Sequence, residues 1–470
     1  MNTGSPPIVG ISSTASHVGK TMVSLGFMER FCQEGLEVQP FKVGPDFIDP
    51  EFHRTICERP SRNLDPFFSD PDDLHRIVDR SLSGVDLGIV EGVMGLFDGR
   101  EEEPFSGSTA QVFKTLNIPF YLVVDGQQRS HSVAAQVHGF LQLQDNLNCR
   151  GVIINRVSSP RHETMVQQAL ATLDDCPNYV CIPRMDDLDL PERHLGLHTN
   201  RKSTKIESFR GTLRKEVVPK LSRFTVPNVP AGRSTFTSVK DISATESSET
   251  QITIGIVRDE AFHFYYERNL DELRRRDARL QSISLFDQKR FDEIDGMYVG
   301  GGYPESFAEH WKNNEDGKEA LLRRIKDGLP VWAECGGFMI LGEEIQTTSG
   351  ESIPGIGWFP LRFRMTDSIQ SLAYTKGIVT ESGLWGNPGD EIVGHRFHYS
   401  RIVEGKDIKS GIRIERGSGG KNDVVGVSRH NVYGSYIHPY FPACDGFPES
   451  FIQRCIEFSE GKKVHEKRVL

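Results

Sequence analysis

The sequence predicts two α/β domains. The first is a doubly wound parallel sheet entered through a phosphate loop, and the second is a further α/β sheet built around a cysteine on a strand–helix turn. Three observations predict this. Apolar strand-like runs alternate with helical patterns in both halves of the chain. Ser13–Thr21 (STASHVGKT) lies between the run Ile8–Ile11 and a helical pattern that continues through Phe31. Between Val226 and Thr250 the apolar period gives way to Gly, Pro, Ser and Thr, and a fresh strand starts at Ile252. The division is therefore 1–225, a linker over 226–250, and 251–470.

Composition bounds the function. A chain of 470 residues is too long for one ordinary core, and 37% hydrophobic with 26% charged residues describes a soluble globular protein. No run of some twenty apolar residues is present, so no membrane span is expected, and the start of the chain carries no signal-like segment. Eight cysteines are scattered without a framework or a Cys-x-x-Cys pair, which reads as reduced cytoplasmic thiols and no zinc site. A net charge of −10 argues against nucleic acid as a partner, and an acidic substrate would need a local basic pocket.

In the first half, strand, loop and helix give Ser13, Thr14, Ala15, Ser16, His17, Val18, Gly19, Lys20 and Thr21 the context of a P-loop. Backbone amides would cradle phosphates, Lys20 would reach the terminal ones, and the Thr21 hydroxyl would bind Mg²⁺. Ser13 stands where a glycine is usual. Val38–Pro50 begins as a strand and ends as a carboxylate-rich loop. Asp46 there is a Mg²⁺ candidate and Lys42 a phosphate or carboxylate holder, unless the loop only turns the chain. Ser61–Asp65 reads as a second polar loop. Leu87–Glu91 is an apolar strand ending in an acid, the expected place for a second Mg²⁺ group. Strands follow at Phe120–Asp125 and Gly151–Asn155, where Asn155 either contacts the nucleotide base or caps a helix.

In the second half, Met297–Val299 runs into Gly300-Gly301-Gly302, a loop whose amides suit an oxyanion hole or which is simply a flexible turn. Val331–Gly342 (VWAECGGFMILG) places Cys335 between a short apolar strand and a helix start. A thiol there is pushed out of the sheet and faces the first helical amides, although a buried core cysteine would read the same way. His438 sits at the rim of the late apolar run Gly434–Phe441 and is the best-placed base. Glycine loop, cysteine turn and late histidine together are more specific than any one of them.

At these residues the chain resembles the cobyrinate a,c-diamide synthase family. The resemblance rests on Phe41–Pro50, Ser61–Pro66, Glu91–Gly99, Gly107–Ala110 and Leu190–Leu197 in the first half. In the second half it rests on Ala261–Tyr266, Gly300–Glu305, Ala333–Gly337, Gly394–Ser400 and Ser435–Phe441. It implies an ATP-dependent amide-forming domain related to dethiobiotin synthetase, followed by a class I glutamine amidotransferase domain. It also implies amidation of corrin carboxylates through acyl phosphates. Cys335 is then the nucleophile, His438 its base, and Gly302 and Gly336 the oxyanion frame. Thr21, Asp46 and Glu91 hold Mg²⁺, while Lys42, Asp46, Ser108, Thr109, Arg193 and His194 meet the substrate. The expected partners are small molecules (a tetrapyrrole, glutamine and ATP) and a second copy of the chain. Departures from the family pattern are Ser13, Arg396 in place of glutamate, and Tyr440 in place of histidine. Tyr440 also occupies the position of the glutamate that class I glutaminases often carry two residues after the histidine, so no third triad member is assigned. Sirohydrochlorin, its nickel form or sirohaem are the alternative rings. A P-loop ATPase switch with a silent glutaminase domain is the alternative of another class.

Overall fold

The structure is a computed structural model that describes residues 6–99, 104–175, 177–185, 204–226, 252–286, 288–383, 386–405, 410–417 and 425–469. The expected linker, apart from Val226, and the expected substrate residues Arg193 and His194 lie outside these residues. The chain divides into two compact units.

The first unit is built from β1 (Ile8–Ser13), α1 (Lys20–Gln33), β2 (Val38–Val43), α2 (Ile48–Cys57), β3 (Arg62–Leu64), α3 (Pro71–Ser81), β4 (Leu87–Glu91), α4 (Thr109–Thr115), β5 (Phe120–Asp125), α5 (Ser132–Gln142), β6 (Cys149–Val157), α6 (Pro160–Leu170) and β7 (Tyr179–Pro183). The helical segments α7 (Thr204–Thr212) and α8 (Val218–Leu221) follow. The strand order is β3-β2-β4-β1-β5-β6-β7, and every pairing is parallel. Such strands are covered on both faces and read as continuous apolar runs. Residues of β1 and β4 are accordingly almost all buried. Order reverses around β1, so the loop after β1 opens at the crevice where α/β sheets bind ligands. The segment after β6 and β7 is fastened back to α1, because Arg210 Nε and Arg214 Nε lie 2.9 and 2.6 Å from the two carboxylate oxygens of the buried Glu29.

Three expectations need correction here. Ile48, Asp49 and Pro50 form the first turn of α2 rather than a loop, and Asp46 Oδ1 accepts the Ile48 amide at 2.8 Å. Arg62–Leu64 is an edge strand, and Asn63 Nδ2 donates to the carbonyls of Gly44 and Asp46, each at 2.9 Å. Asn155 lies inside β6, and Ser159 caps α6, so the cap alternative for Asn155 falls.

The second unit holds β8 (Thr253–Val257), β9 (Phe262–Phe264), α9 (Glu267–Arg274), β10 (Arg279–Ile283), β11 (Gly296–Val299), β12 (Gly301–Gly302), α10 (Ala308–Lys312), α11 (Glu315–Lys326), β13 (Val331–Glu334) and α12 (Gly336–Ile340). It continues with β14 (Glu344–Gln346), β15 (Ser352–Pro354), β16 (Leu361–Met365), β17 (Ser371–Val379), β18 (Glu391–His398), β19 (Ser400–Gly405), β20 (Ile412–Arg416), β21 (Gly426–Arg429), β22 (Val432–Ser435), β23 (His438–Pro439) and α13 (Glu449–Val469). Its main sheet runs β10-β8-β11-β13-β22-β21, parallel except for the β21–β22 hairpin. The chain between α12 and β21 forms the sheet β15-β14-β16-β19 and, with β23 added at one edge, the sheet β20-β17-β18-β23. The triple glycine is no flexible turn, since β12 pairs antiparallel with β9, Gly301 opposite Phe264 and Gly302 opposite Phe262. Among the described residues no helix is long and apolar enough to cross a membrane.

Candidate active sites

Each unit gathers polar side chains at the carboxyl ends of its central strands. In the first, Gly19 precedes α1 with φ 92°, a left-handed conformation that glycine adopts without strain. A side chain at this position would also strike Asn155, since a Cβ on Gly19 would lie 2.2 Å from its Nδ2. Asn155 Nδ2 donates to Val18 O at 2.9 Å, and Arg156 Nη2 donates to His17 O at 2.5 Å, so β6 holds the loop in shape. The Asn155 Oδ1 acceptor is buried without a hydrogen-bond partner. Ser13, in place of the usual glycine, uses its hydroxyl as a brace, with its Oγ 2.9 Å from Ala15 O and 3.1 Å from Met94 O. Thr14 is buried, while Ala15, Ser16 and His17 are exposed at the tip of the loop.

Lys20, Thr21, Lys42, Asp46 and Glu91 do come together. Thr21 Oγ1 donates to Glu91 Oε1 at 2.7 Å. Lys42 Nζ sits 3.1 Å from Glu91 Oε1, 2.5 Å from Asp49 Oδ2, 3.6 Å from Asp46 Oδ2 and 2.9 Å from Gly92 O. His53 Nε2 meets the other Glu91 oxygen at 2.8 Å. Burial works to raise the Glu91 carboxyl, but Lys42, the His53 hydrogen bond and the charges of His53 and Lys20 outweigh it and hold it well below the usual carboxylate range. Burial also works to lower Lys42, and Asp49, Glu91 and Asp46 overcome it, so the ammonium is held above its ordinary value. Lys20, by contrast, is lowered by burial and then by the like charge of Lys42. Asp49 and His53 were not singled out in the sequence. The FIDP turn that begins α2 carries the first, and the second lies one turn further along the same helix.

A divalent cation fits this chemistry. The Thr21 hydroxyl and the Glu91 carboxylate are hard oxygen donors already side by side, and Mg²⁺ characteristically takes one or two carboxylates, with phosphate and water completing its shell. The Ser108 and Thr109 hydroxyls, expected to meet the substrate, bond to the framework in this structure. Ser108 Oγ caps α4 and donates to Phe105 O at 2.6 Å, while Thr109 Oγ1 donates to Val93 O at 3.0 Å and accepts from Val93 N at 2.9 Å. Both are fully buried. A cleft of about 380 Å³ beyond β5, β6 and β7 is lined by Arg129, Arg156, Arg161 and Arg184, a local basic pocket on an acidic chain.

In the second unit β11, β13 and β22 end together. Cys335 has φ 47° and ψ −105°, a strained turn between β13 and α12 that lifts the thiol off the sheet. Its Sγ lies 3.9 Å from Phe397 O on β18. Gly301 leaves space for the imidazole, since a Cβ there would sit 2.5 Å from His438 Cε1. Gly336 packs on the glycine loop, where a Cβ would lie 2.6 Å from Gly302 O. Gly302 and Gly336 therefore lie against each other beside Cys335. His438 is buried with its Nδ1 3.1 Å from Glu334 Oε2. Glu334 Oε1 accepts from Tyr298 Oη at 2.7 Å and from Trp332 Nε1 at 2.9 Å. The ring of His395, opposite His438 across β18 and β23, stacks on His438 at 5.0 Å and shares a 2.8 Å hydrogen bond with Tyr266. Tyr440 is buried and packs edge-on against Tyr266 at 5.5 Å. Arg396 is buried within the β17–β18 pair and donates from Nε to Thr375 Oγ1 at 3.2 Å.

Burial pulls His438 down, but hydrogen bonds to Cys335 and Glu334 and their charges outweigh it and raise it to about 9. A histidine raised above its unfolded value of about 6.5 contributes stability that is complete below that pH and lost as pH rises through about 9. The denaturation midpoint of the wild-type chain is therefore expected to fall between pH 6.5 and 9, and His438→Gln should flatten that fall. The buried Cys444 thiol, pushed up to about 12, adds its own loss above about 8.5 in both proteins, so the difference between them isolates His438. Identical pH–stability curves would contradict the assignment.

A phosphate-loop sheet and a cysteine–histidine α/β unit on one chain define a glutamine-dependent carbon–nitrogen ligase. A family model described as the CobQ/CobB/MinD/ParA nucleotide binding domain matches residues 9–197, and one described as the CobB/CobQ-like glutamine amidotransferase domain matches residues 253–445. Cobyrinate a,c-diamide synthase of Archaeoglobus fulgidus is 34% identical over 96% of this chain and 98% of its own length. Those of Caldanaerobacter subterraneus subsp. tengcongensis and Listeria monocytogenes serotype 4b are 33% and 35% identical over 95% and 92% of this chain, and 98% and 95% of their own lengths. The chain belongs to the cobyrinate a,c-diamide synthase family.

Proposed function

We propose that the protein amidates the a and c side-chain carboxylates of cobyrinic acid in cobalamin biosynthesis, with ATP and glutamine as co-substrates. The observation that carries this reading is the match, over more than nine-tenths of the chain, to relatives named for that reaction.

A carboxylate does not react with ammonia at neutral pH. Transfer of the ATP γ-phosphoryl to the ring carboxylate makes an acyl phosphate and releases ADP. Lys20 binds the phosphates and draws the transferring group toward the Lys42 end of the site. Mg²⁺, held by Thr21, Glu91 and Asp46, supplies charge neutralisation at the phosphates when bound. Lys42 holds the reacting carboxylate, Asn155 the base, and the arginine-lined cleft favours an anionic ligand on this face. In the second domain the Cys335 thiolate forms a bond to the carboxamide carbon of glutamine. Amides at Gly302 and Gly336 stabilise the oxyanion, and the His438 imidazolium gives its proton to the departing ammonia. His438 then takes a proton from water, which cleaves the thioester to glutamate. Ammonia displaces phosphate from the acyl phosphate and leaves the amide. A reduced cytoplasmic setting and a homodimer belong to the same reading, the first supported by the free state of every described cysteine.

The test supplies the purified chain with Mg-ATP, glutamine and, separately, cobyrinic acid, sirohydrochlorin, nickel-sirohydrochlorin and sirohaem, and follows amide formation by mass spectrometry. Cobyrinic acid is expected to gain two amides. Cys335→Ala is expected to lose this with glutamine and keep it with free ammonia. Conversion of another ring in place of cobyrinic acid moves the substrate assignment. ATP hydrolysis without amidation of any ring sinks the ligase reading in favour of an ATPase switch.

A further inference from the structure

We propose that Glu334 is the third member of the Cys335–His438 set, a positioning residue that holds the imidazole by Nδ1 and leaves Nε2 to the thiol. This rests on the glutaminase reading above and extends it to a residue that reading does not use. A carboxylate two positions after the histidine is absent, because Tyr440 occupies that place and its ring packs against Tyr266. The carboxylate that reaches His438 comes from the residue before the nucleophile.

Two neighbours in a regular strand point to opposite faces, so Glu334 and Cys335 could not both meet one ring if β13 simply continued. The positive φ of Cys335 breaks that alternation at the residue where it must be broken. Glu334 is about 1% exposed, and such a carboxylate is costly without partners. Here Oε1 takes the Tyr298 hydroxyl and the Trp332 indole, and Oε2 takes His438, so both oxygens are accounted for. The two aromatic donors fix the carboxylate and the carboxylate fixes the imidazole. The groups around the ring are Glu334 from β13, Cys335 beyond it, and His395 from β18, which burial and the His438 charge keep well below its ordinary value. One carboxylate therefore faces an imidazole whose stacking neighbour is uncharged.

The experiment uses the full chain and Glu334→Gln, which keeps the shape and removes the charge. Glutamine hydrolysis is expected to fall in kcat by about 10²–10⁴-fold, with KM for glutamine changed only a few-fold. Glu334→Asp should recover part of the loss. The His438 ring titration, followed by NMR, should move down by about 1 pH unit or more in Glu334→Gln. Lost packing alone would not produce that shift. A folded Glu334→Gln protein with kcat within about threefold of wild type, or with an unmoved His438 titration, overturns the proposal. Should Glu334→Gln not fold, Tyr298→Phe removes one hydrogen bond from Glu334 and keeps the ring. It should shift His438 the same way by less, and no shift counts against the role. A wild-type chain that hydrolyses no glutamine removes the functional reading itself and this role with it.

Discussion

Lys42→Met is expected to abolish ring amidation with glutamine and with free ammonia alike, while glutamine hydrolysis by the second domain should continue. The reason is the position of the ammonium. It is about 2% exposed and lies among the carboxylates of Asp46, Asp49 and Glu91 and the Gly92 carbonyl. Methionine fills the same stem and leaves those carboxylates facing one another, with His53 against Glu91 and Lys20 acting on it from further along the site. Removing one partner from a buried charge set costs about 3–5 kcal/mol, so the first unit should also melt earlier. Loss of an electrostatic group at the phosphoryl site should lower turnover by at least about 10²–10³-fold. The two effects separate in the double variant Lys42→Met/Asp49→Asn, which removes one of the crowded charges. Stability should largely return and activity should not. Amidation within a few-fold of wild type in Lys42→Met would sink the role given to this residue.

Gly302→Ala is expected to silence glutamine-supported amidation and to spare the ammonia-supported reaction. A Cβ on Gly302 would lie 1.8 Å from Ala261 O and 2.8 Å from its carbonyl carbon. Both are backbone atoms of the chain leading into β9, so no side-chain rotation relieves the clash, and β12 must move away from β9. Gly336 packs against the same residue, since a Cβ on it would lie 2.6 Å from Gly302 O. Displacing one oxyanion donor costs about 10²–10³-fold in kcat. Gly350→Ala is the control. It stands at positive φ (85°), and nothing lies within 4 Å of its Cβ position, so it should cost some stability and no activity. Equal glutaminase rates in the two variants would show that the tight approach at Gly302 is irrelevant to the chemistry.

Much of this arrangement is legible in the chain. Parallel strands are continuous apolar runs, and a loop with Gly-Lys-Thr or Cys-Gly-Gly between such a run and a helix announces itself locally. Glu334 is not legible in that way. Strand alternation places it on the far face from Cys335, and only the dihedral angles of Cys335 bring the two together. His395 is hidden for a related reason, because its partner in β23 is 43 positions away and the pairing is a matter of register. Several strands from β14 to β20 alternate buried with exposed or half-exposed residues, as β17 does, so they give neither a long apolar run nor a helical period. Ser108 and Thr109 present the opposite case. The family pattern marks them as special, and the structure uses both hydroxyls to hold backbone.

The parallel pairing of β13 with β22 sets Glu334 opposite Ser435, three residues before His438. Carboxylate, thiol and imidazole thus come from two adjoining strands and their immediate continuations, so the set is portable. The segment between them can be lengthened, trimmed or exchanged among relatives wherever it leaves β18 in place, and the spacing of the three groups will not register the change. Diversity in this half of the molecule should therefore collect between α12 and β21, while the two strands on either side admit almost none.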